Sequence, residues 1–558
     1  MRHPSDHEPT LELESAPADR RAQHVAPDCR GADFWELDAS LRSLLPLYLA
    51  PALLAHLEPA LRRLGVLAGG RLDELAAAAD RNPPVLHARD RWGRDREWIE
   101  YHPAYREMEA LAFGELGLHA MTHRGGVLGW PEPLPAVAKY AFQYLFVQAE
   151  FGLLCPVSVT DTSIHLIRRF GSEDLQARLL PRMLSQDLDT IWKGTQFITE
   201  RAGGSDVGAV ESIAVRDGDR WRLHGEKWFC SHADADLALL LARPRGAPAG
   251  TAGLTLFAMP RHLEDGERNA YRIVRLKDKL GTRSMASGEI VLEGAQAWLV
   301  GDQRRGFRQM MEQVNLSRLS HGVRAAAMMR RCWNEARAAA RGRRAFGRRL
   351  DQMAMVRRQL LEILVPAEQA LSMSLYAAAA MDAAGAGDCD EAARDGAASA
   401  PQEEAAALRI LTPLLKLRAC RDNIQVATAA MEVRGGNGYI EEWVNARLVR
   451  DAHIGVIWEG TSNIVALDVV ARAAAKEGAH RVLARALHRR LDAATAAPSE
   501  LSAAARSSLD RAVALVGRVG TEGGLEVQAS RAASALYHAA SAALLVWEGA
   551  RLGGEAGA

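Results

Sequence analysis

The sequence is poor in lysine, and its few cysteines are not paired. Only seven of its 69 basic residues are lysine, and this bias, together with frequent alanine, is typical of a GC-rich genome rather than of a function. The six cysteines are scattered, with no CxxC pair and no histidine cluster at metal spacing. This pattern excludes a disulfide framework and predicts no metal site. A reducing cytoplasm is the compartment that fits it best.

The chain also lacks net charge and long hydrophobic runs. Its 69 basic residues are matched by 69 acidic ones, so no overall field would draw it to nucleic acid or to an anionic membrane. The longest apolar run, Leu44 to Ala55, is about twelve residues long and contains prolines, too short to span a bilayer. The N-terminus has no apolar signal-peptide core, so we expect neither a membrane span nor export.

The chain is long, and the spacing of its apolar residues changes along the sequence. With 558 residues, 48% hydrophobic and 25% charged, it has globular proportions for roughly three or four domains. Residues 1–35 are polar and are predicted to be a disordered tail. Apolar residues at spacings of three and four then predict a helical domain over 36–195.

Near Gln196 the period changes from helical to alternating. Apolar and polar residues alternate on both sides of Asp217-Gly218, a hairpin turn signal, and short strand-like segments follow. We therefore predict a β-domain over 196–300. Helical periodicity returns over 301–475, interrupted by a small, acidic segment at 385–404 that we interpret as a surface loop. Residues 476–558 predict an additional helical segment, so the fold class is mainly α with a central β-domain.

Two segments of the predicted β-domain contain residues suited to ligand binding. In FITERAGGSDVG, residues 197–208, two glycines beside Ser205 and Asp206 would let backbone N–H groups approach a ligand closely. In GEKWFCS, residues 225–231, Phe229 and Ser231 offer a stacking face and a hydroxyl donor at a strand end. Composition alone leaves open an ordinary loop for the first segment and an aromatic core pair for the second.

The third segment is VIWEGTSNIVALDVV, residues 456–470. Glu459 lies among apolar residues, which would raise the pKa of its carboxyl group toward the working range of a general base. A glutamate stabilised at the start of a helix is the alternative that the residues leave open.

Taken in order, these segments resemble the FAD-dependent acyl-CoA dehydrogenase family over residues of about 100–475. The motifs that carry the resemblance are TERAGGSDVG, GEKWFCS, RLKDKLGTRSMASGEIVLE, NLSR, RRAFG, RGGNGYIEE and RLVRDAHIGVIWEGTSNI. Within the family, the segments AMMRR, AMEVRGGNGYIEE, IWEG and NPPVLHARDRWGR are similar to the AidB-like, alkylation-response branch. The resemblance implies an N-terminal helical domain, a middle antiparallel β-domain and a C-terminal helical bundle.

The resemblance also assigns expected contacts with FAD. Thr199 and Ser205 match positions that contact the flavin or its ribityl and phosphate chain. Phe229 and Ser231 match the strand-end pair that lies against the isoalloxazine ring, with serine in place of a common threonine.

A further set of motifs implies a shared site. Arg343 and Phe346 match the family's RxxFG motif, which in homologues reaches the FAD of a neighbouring subunit, as does the GGxG motif that contains Gly435 and Gly436. A site shared in this way implies a homo-oligomer, expected to be a dimer of dimers.

Glu459 matches the family's usual catalytic glutamate, and Thr461 and Asn463 after it match cofactor-contacting positions. Some members carry the base before the conserved arginine instead, but here Ser317 precedes Arg318 and cannot act as a carboxylate base. The resemblance thus implies that Glu459 removes the α-proton of an acyl-CoA while a hydride passes to the flavin. An electron-transfer flavoprotein is the expected acceptor.

Two functions of different class remain open at the level of sequence. One is the acyl-CoA dehydrogenase described above. The other is a flavin-stabilised, DNA-associated protein of the alkylation response, in which dehydrogenation is weak or incidental. Fold similarity does not separate them, because function belongs to the site.

We predict at most weak, non-specific binding to DNA. Residues 471–558 carry 11 basic and 8 acidic residues, whereas residues 324–358 carry 11 arginines and 2 acids. Phosphate neutralisation by such arginines would give an affinity that falls steeply with salt and depends little on sequence. An anisotropy titration with duplex DNA should lose its signal near physiological salt. Tight binding that persists at about 200 mM salt would favour the DNA-associated function.

Overall fold

The fold is described from a computed structural model that covers residues 25–385 and 400–553. The helices, numbered in chain order, are α1 (Phe34–Leu37), α2 (Ala39–Tyr48), α3 (Pro51–Gly69), α4 (Arg71–Arg81), α5 (Pro103–Glu109), α6 (Ala136–Val147), α7 (Leu154–Phe170), α8 (Glu173–Met183), α9 (Gly306–Gly342), α10 (Ala354–Gly385), α11 (Ala400–Arg434), α12 (Val444–Ala452), α13 (Ser462–Leu467), α14 (Ala479–Ala493), α15 (Ser499–Thr521) and α16 (Ala529–Leu552). The strands are β1 (Val85–Arg89), β2 (Asp95–Glu100), β3 (Gly194–Phe197), β4 (Ile213–Asp217), β5 (Arg220–Ser231), β6 (Leu237–Pro244), β7 (Thr255–Pro260), β8 (Tyr271–Leu276), β9 (Ser287–Leu299), β10 (Arg344–Ala345) and β11 (Arg348–Arg349). The predicted mainly α fold with a central β-domain is confirmed.

The N-terminal part differs from the sequence prediction in two places. Residues 1–24 of the expected tail lie outside the described residues, but Cys29, Phe34 and Trp35 are buried, so the ordered chain begins before residue 35. Strands β1 and β2 form an antiparallel hairpin where a wholly helical pattern was expected. The hairpin is mostly exposed and joined by a tight turn at Gly93, so it leaves little hydrophobic period for sequence analysis to detect.

The central strands close on themselves. Strand β6 pairs with β7, β7 with β9, β9 with β5, β5 with β4, and β4 again with β6. Outside this circuit, strand β3 pairs with β6 on the same edge as β4, and β8 pairs with β9. The turn predicted at Asp217-Gly218 joins β4 to β5, where Gly218 has φ +63°. Closure of the circuit leaves few unpaired strand edges.

The C-terminal bundle is built on the long helix α9, which packs against α10, α11 and α7. Its buried positions include six alanines, and they also include four arginines. Most of the loop predicted at 385–404 lies outside the described residues, and helix α11 already begins at Ala400. Within the described ranges, no helix combines the length and the apolarity needed to cross a membrane.

Helices α14, α15 and α16 form the additional helical segment and pack on the bundle. Helix α16 contacts α10, α11 and α2. The Tyr48 hydroxyl donates a hydrogen bond of 2.8 Å to Glu548, which is buried. Burial raises the pKa of Glu548 to about 7, and hydrogen bonds from Tyr48 and Ser372 only partly oppose this.

Glu548→Gln should therefore stabilise the protein above neutral pH. The pKa of Glu548 is higher in the folded chain than in the unfolded one, so the wild type loses stability as pH rises from about 4.5 to about 7. At about 1.4 kcal/mol per pKa unit the penalty at pH 8 is about 3 kcal/mol. Thermal melts should show a higher midpoint for the variant at pH 8 and a much smaller difference at pH 5. An equal shift at both pH values would contradict the burial of a carboxylate here.

Candidate active site

Glu459 occupies a strained turn between a short 3₁₀ segment, His453–Val456, and helix α13. Its φ is +55°, a left-handed backbone conformation that residues other than glycine rarely adopt. Gly460 follows with φ +101°. Such strain costs about 1–3 kcal/mol and persists only where the surrounding structure compensates for it. The turn places the Glu459 side chain toward β3 and α9.

Two cations hold the backbone of this turn. The Arg318 guanidinium donates from Nε to the Glu459 carbonyl oxygen at 3.0 Å, and the Lys416 ammonium donates to the Gly460 carbonyl oxygen. Arg318 is in turn paired with Asp468 at 2.6 Å, and Arg409 bonds the other oxygen of Asp468 at 2.8 Å. The strained turn is therefore stabilised by a buried network anchored on three helices.

The Glu459 carboxylate receives two hydrogen bonds on one oxygen. Gln196 Nε2 and Ser317 Oγ donate to Oε1 at 2.5 and 3.0 Å. Within the described part of the chain, Oε2 has no donor and is free to accept a proton. Burial raises the pKa of Glu459, and the neighbours Ser317, Arg318, Gln196 and Lys416 only partly lower it. The group is partly accessible, so the geometry suits a general base.

The end of strand β5 carries the predicted Phe229 and Ser231. Thr195 Oγ1 donates to the Ser231 carbonyl oxygen at 2.6 Å, which ties β5 to β3, the strand that carries Gln196. Ser231 and Glu459 are both polar neighbours of the Cys155 thiol, so these two predicted residues lie at one site. The Phe229 ring is 56% exposed and stands edge-on to Trp228, a usable stacking face.

The glycine-rich loop is held from beneath by a buried ion pair. Lys227 Nζ bonds Glu200 at 2.5 Å, and the other Glu200 oxygen accepts the N–H groups of Glu211 and Ser212. The Thr199 carbonyl accepts from Trp228 N at 2.9 Å, so the loop lies beside β5. Ser205 is exposed on this loop, and its hydroxyl is accessible to a ligand.

Thr461 and Asn463 follow Glu459 directly and are both exposed. Thr461 is the N-cap residue of α13, yet its side chain makes no capping hydrogen bond. Its hydroxyl is therefore available to a ligand next to the glutamate.

Arg343, Phe346, Gly435 and Gly436 are brought together at a different place. Arg343 Nη1 donates to the Arg434 carbonyl at 3.5 Å, beside Gly435. The hairpin of β10 and β11 presents Phe346 with 94% of its surface exposed and a φ of +51°. Helix α9 separates Ser317 from its last residue, Gly342, by about 37 Å at 1.5 Å per residue. In one chain these residues therefore do not join the site at Glu459.

Several residues that support the glutamate were not identified from the sequence, namely Gln196, Lys416 and Asp468, and neither was the pairing role of Arg318. Ser317, excluded as a base, is a hydrogen-bond donor to the base. The sequence signal that could have identified two of them is a charged residue inside an apolar helical stretch. Lys416, one of only seven lysines, lies in LTPLLKL, and Asp468 lies in VALDVV.

The described residues hold no cluster of histidine, cysteine and acidic side chains placed to bind a metal ion. The five described cysteines are free and buried.

Asp468→Asn should destabilise the protein by about 3 kcal/mol, because it leaves the buried Arg318 and the partly buried Arg409 without their shared carboxylate. Glu477→Gln is a matched control, since Glu477 pairs with the same Arg409 at the surface and its loss should cost about 0.5 kcal/mol or less. Urea unfolding of both variants measures the difference. Equal effects would show that the inner pair does not support the turn.

Three protein-domain models match the chain in order. The adaptive response protein AidB N-terminal domain matches residues 25–190, the acyl-CoA dehydrogenase middle domain matches 195–295, and the acyl-CoA dehydrogenase C-terminal domain matches 304–475. The last model covers the helices that carry Ser317, Arg318 and Lys416 and the turn that carries Glu459.

Two curated relatives cover most of the chain. Acyl-CoA dehydrogenase family member 11 of Caenorhabditis elegans is 31% identical over 79% of this chain and 70% of its own. The putative acyl-CoA dehydrogenase AidB of Escherichia coli K12 is 34% identical over 74% of this chain and 73% of its own.

Solved structures share the fold over nearly the whole length. The C. elegans ACDH-11 complex with C11-CoA superposes with a TM-score of 0.86 at 26% identity, over 95% of this chain and 90% of that one. The apo form of Bd2924 superposes with a TM-score of 0.83 at 29% identity, over 94% and 99% of the two chains. This chain therefore belongs to the acyl-CoA dehydrogenase family and carries an N-terminal domain of the AidB type.

Proposed function

We propose that the protein is an FAD-dependent acyl-CoA dehydrogenase in which Glu459 is the catalytic base. The observation that carries the proposal is the state of the Glu459 carboxylate, which has a raised pKa, one oxygen bonded by Gln196 and Ser317, and the other oxygen free. A carboxylate in this state can take a proton from the carbon next to a thioester carbonyl. Bonds to a single oxygen fix its orientation.

Residues of the β-domain, together with residues that follow Glu459, fit a flavin. The loop beneath Ser205 is held by the buried Lys227–Glu200 pair, Phe229 offers an exposed ring, and the Thr461 hydroxyl is free beside the base. Thr199, Ser231 and Asn463 complete the proposed contacts. FAD, when bound, supplies the acceptor for the hydride, in keeping with the FAD dependence of the family. The chain's own residues orient the acyl group, exclude water and take the proton.

We further propose that Arg343, Phe346, Gly435 and Gly436 complete the flavin site of a neighbouring subunit. The length of α9 keeps these four residues away from the Glu459 of their own chain. The Phe346 side chain is exposed and can therefore contact the surface of a partner subunit. A homo-oligomer, as a dimer of dimers, satisfies this geometry. Transfer of electrons to an electron-transfer flavoprotein, and a cytoplasmic location, stay predictions from the sequence.

The burial of several arginines weakens the alternative proposal of a DNA-associated protein. Arg324, Arg330 and Arg331, within the arginine-rich segment 324–358, are buried in α9 rather than displayed on a surface. Arg330 pairs with Asp38 and Glu368, and Arg331 pairs with Asp73 and Glu335. Of the remaining arginines of the segment, Arg337 is half-buried and the others are exposed. They do not form one continuous helical face, because β10 and β11 interrupt the helices.

The variant Glu459→Gln should retain FAD. Its rate of flavin reduction by any acyl-CoA that the wild type accepts should fall by a factor of about 10² to 10⁴. The amide preserves the hydrogen-bonding shape but cannot take the α-proton. Anaerobic bleaching of the flavin by a panel of acyl-CoAs measures the rate, with Glu477→Gln as a surface control. Bleaching at the wild-type rate would place the base elsewhere. Folded protein that fails to bind added FAD would overturn the proposed cofactor.

A further inference from the structure

Arg324 is a buried cation on α9, two helical turns beyond Ser317. Among the described residues no carboxylate forms an ion pair with it, and the Glu459 carboxylate acts on its charge only from beyond ion-pair distance. The Arg324 side chain has no exposed surface, and among the described residues no oxygen or nitrogen acceptor reaches its Nε and Nη1 atoms, although the Cys155 thiol lies close enough to interact with the guanidinium. Its remaining nitrogen, Nη2, lies 3.0 Å from His321 Nε2. Burying a guanidinium in this way is costly unless the charge is compensated.

The His321 ring does not supply that compensation. Its Nδ1 lies 2.7 Å from the Ser317 carbonyl oxygen and therefore carries the proton. Arg324 Nη2 lies 3.1 Å from Nδ1 and 3.0 Å from Nε2, so it contacts the ring without meeting a charged group. Burial and the neighbouring Arg324 hold the pKa of His321 well below its usual range, so the ring is neutral. Contact with a neutral acceptor leaves the full positive charge on Arg324.

The two thiols near Arg324 do not compensate it either. Burial raises the pKa of Cys155 and of Cys420, so both remain neutral thiols at neutral pH. The rings of Phe151 and Trp458 lie 5.2 and 5.8 Å from the guanidinium carbon, a cation–π arrangement that is worth less than an ion pair.

The neighbouring buried arginines of α9 show how this fold ordinarily compensates such a charge. Arg318, Arg330 and Arg331 are buried to a similar degree, and each is paired with at least one carboxylate at 3.3 Å or less. Arg324 departs from this rule at the one place where its surroundings include Trp458 and Cys155, the neighbours of Glu459 and Ser231. The unpaired charge of Arg324 therefore lies beside the reaction site, where the Glu459 carboxylate also acts on it, rather than in the remote core.

We infer that Arg324 is a specificity-determining residue that binds a carboxylate carried by the acyl chain, so that the substrate class is an ω-carboxyacyl-CoA. The inference rests on the proposed function, because it places the acyl chain between Glu459 and Arg324. Trp458 is only half-buried, and displacement of its ring would let an acyl chain reach the guanidinium. The guanidinium would then gain a charge-assisted bond, whereas a methyl-terminated chain would leave it unpaired.

The test compares matched pairs of thioesters on the FAD-loaded protein. Adipoyl-CoA is set against hexanoyl-CoA, and suberoyl-CoA against octanoyl-CoA, with anaerobic flavin bleaching as one readout and ligand-induced thermal stabilisation as the other. The wild type should prefer the carboxylate-ended member by about tenfold or more in rate. Arg324→Met should reverse this preference, and Arg324→Lys should keep part of it.

Ratios taken within each variant cancel any loss of folded protein, and Arg341→Met, an exposed change on the same helix, should keep the wild-type ratio. A wild type that prefers the methyl-terminated thioesters, or an Arg324→Met variant that keeps the wild-type ratio, would overturn the inference. If no thioester bleaches the flavin, the proposed function fails instead. The stabilisation readout then still decides whether Arg324 binds the carboxylate.

Discussion

The candidate site depends on one buried interaction, the bond from Arg318 to the Glu459 carbonyl oxygen. Glu459 stands in a left-handed conformation that its own side chain disfavours. Arg318 compensates for that strain and is itself compensated by Asp468, which also pairs with Arg409. A backbone conformation is in this way held by side chains from α9, α11 and the segment after α13, which are far apart in the sequence.

A catalytic base needs a fixed position and a sufficiently high pKa, and in this site different groups meet these two requirements. The backbone of the turn is held by cations, while the carboxylate is held by the neutral donors Gln196 and Ser317. Cations placed directly on the carboxylate would lower its pKa and weaken it as a base. Bonds to the carbonyl groups of Glu459 and Gly460 fix the position of the group at a smaller cost to its basicity.

Buried charge is the second theme of this fold. The long helix α9 buries several arginines, of which Arg331 pairs with Asp73 of α4, and its own Glu335 pairs with Arg434 of α11. These pairs fix how the helices align, since a shift of one turn would leave charges unpaired. Among the described residues Arg324 has no such carboxylate partner, and for this reason we infer a ligand for it rather than a packing role.

Patterns local in the sequence were sufficient for the fold class and for the identity of the candidate base. Period-two alternation, the Asp217-Gly218 turn and long runs at spacings of three and four depend only on neighbouring residues, and ordered motifs carried the family resemblance. The hairpin of β1 and β2 escaped because exposed strands show no hydrophobic face. Lys416, Asp468 and Gln196 escaped because their role exists only when segments from four parts of the chain meet. Arg343 and Phe346 were expected from the resemblance to reach the site of a neighbouring subunit, and only the tertiary structure shows the distance that the rigid helix α9 sets between them and the Glu459 of their own chain. Whether an arginine is a surface charge or a buried one was likewise decided by packing, since both are the same letter in the sequence.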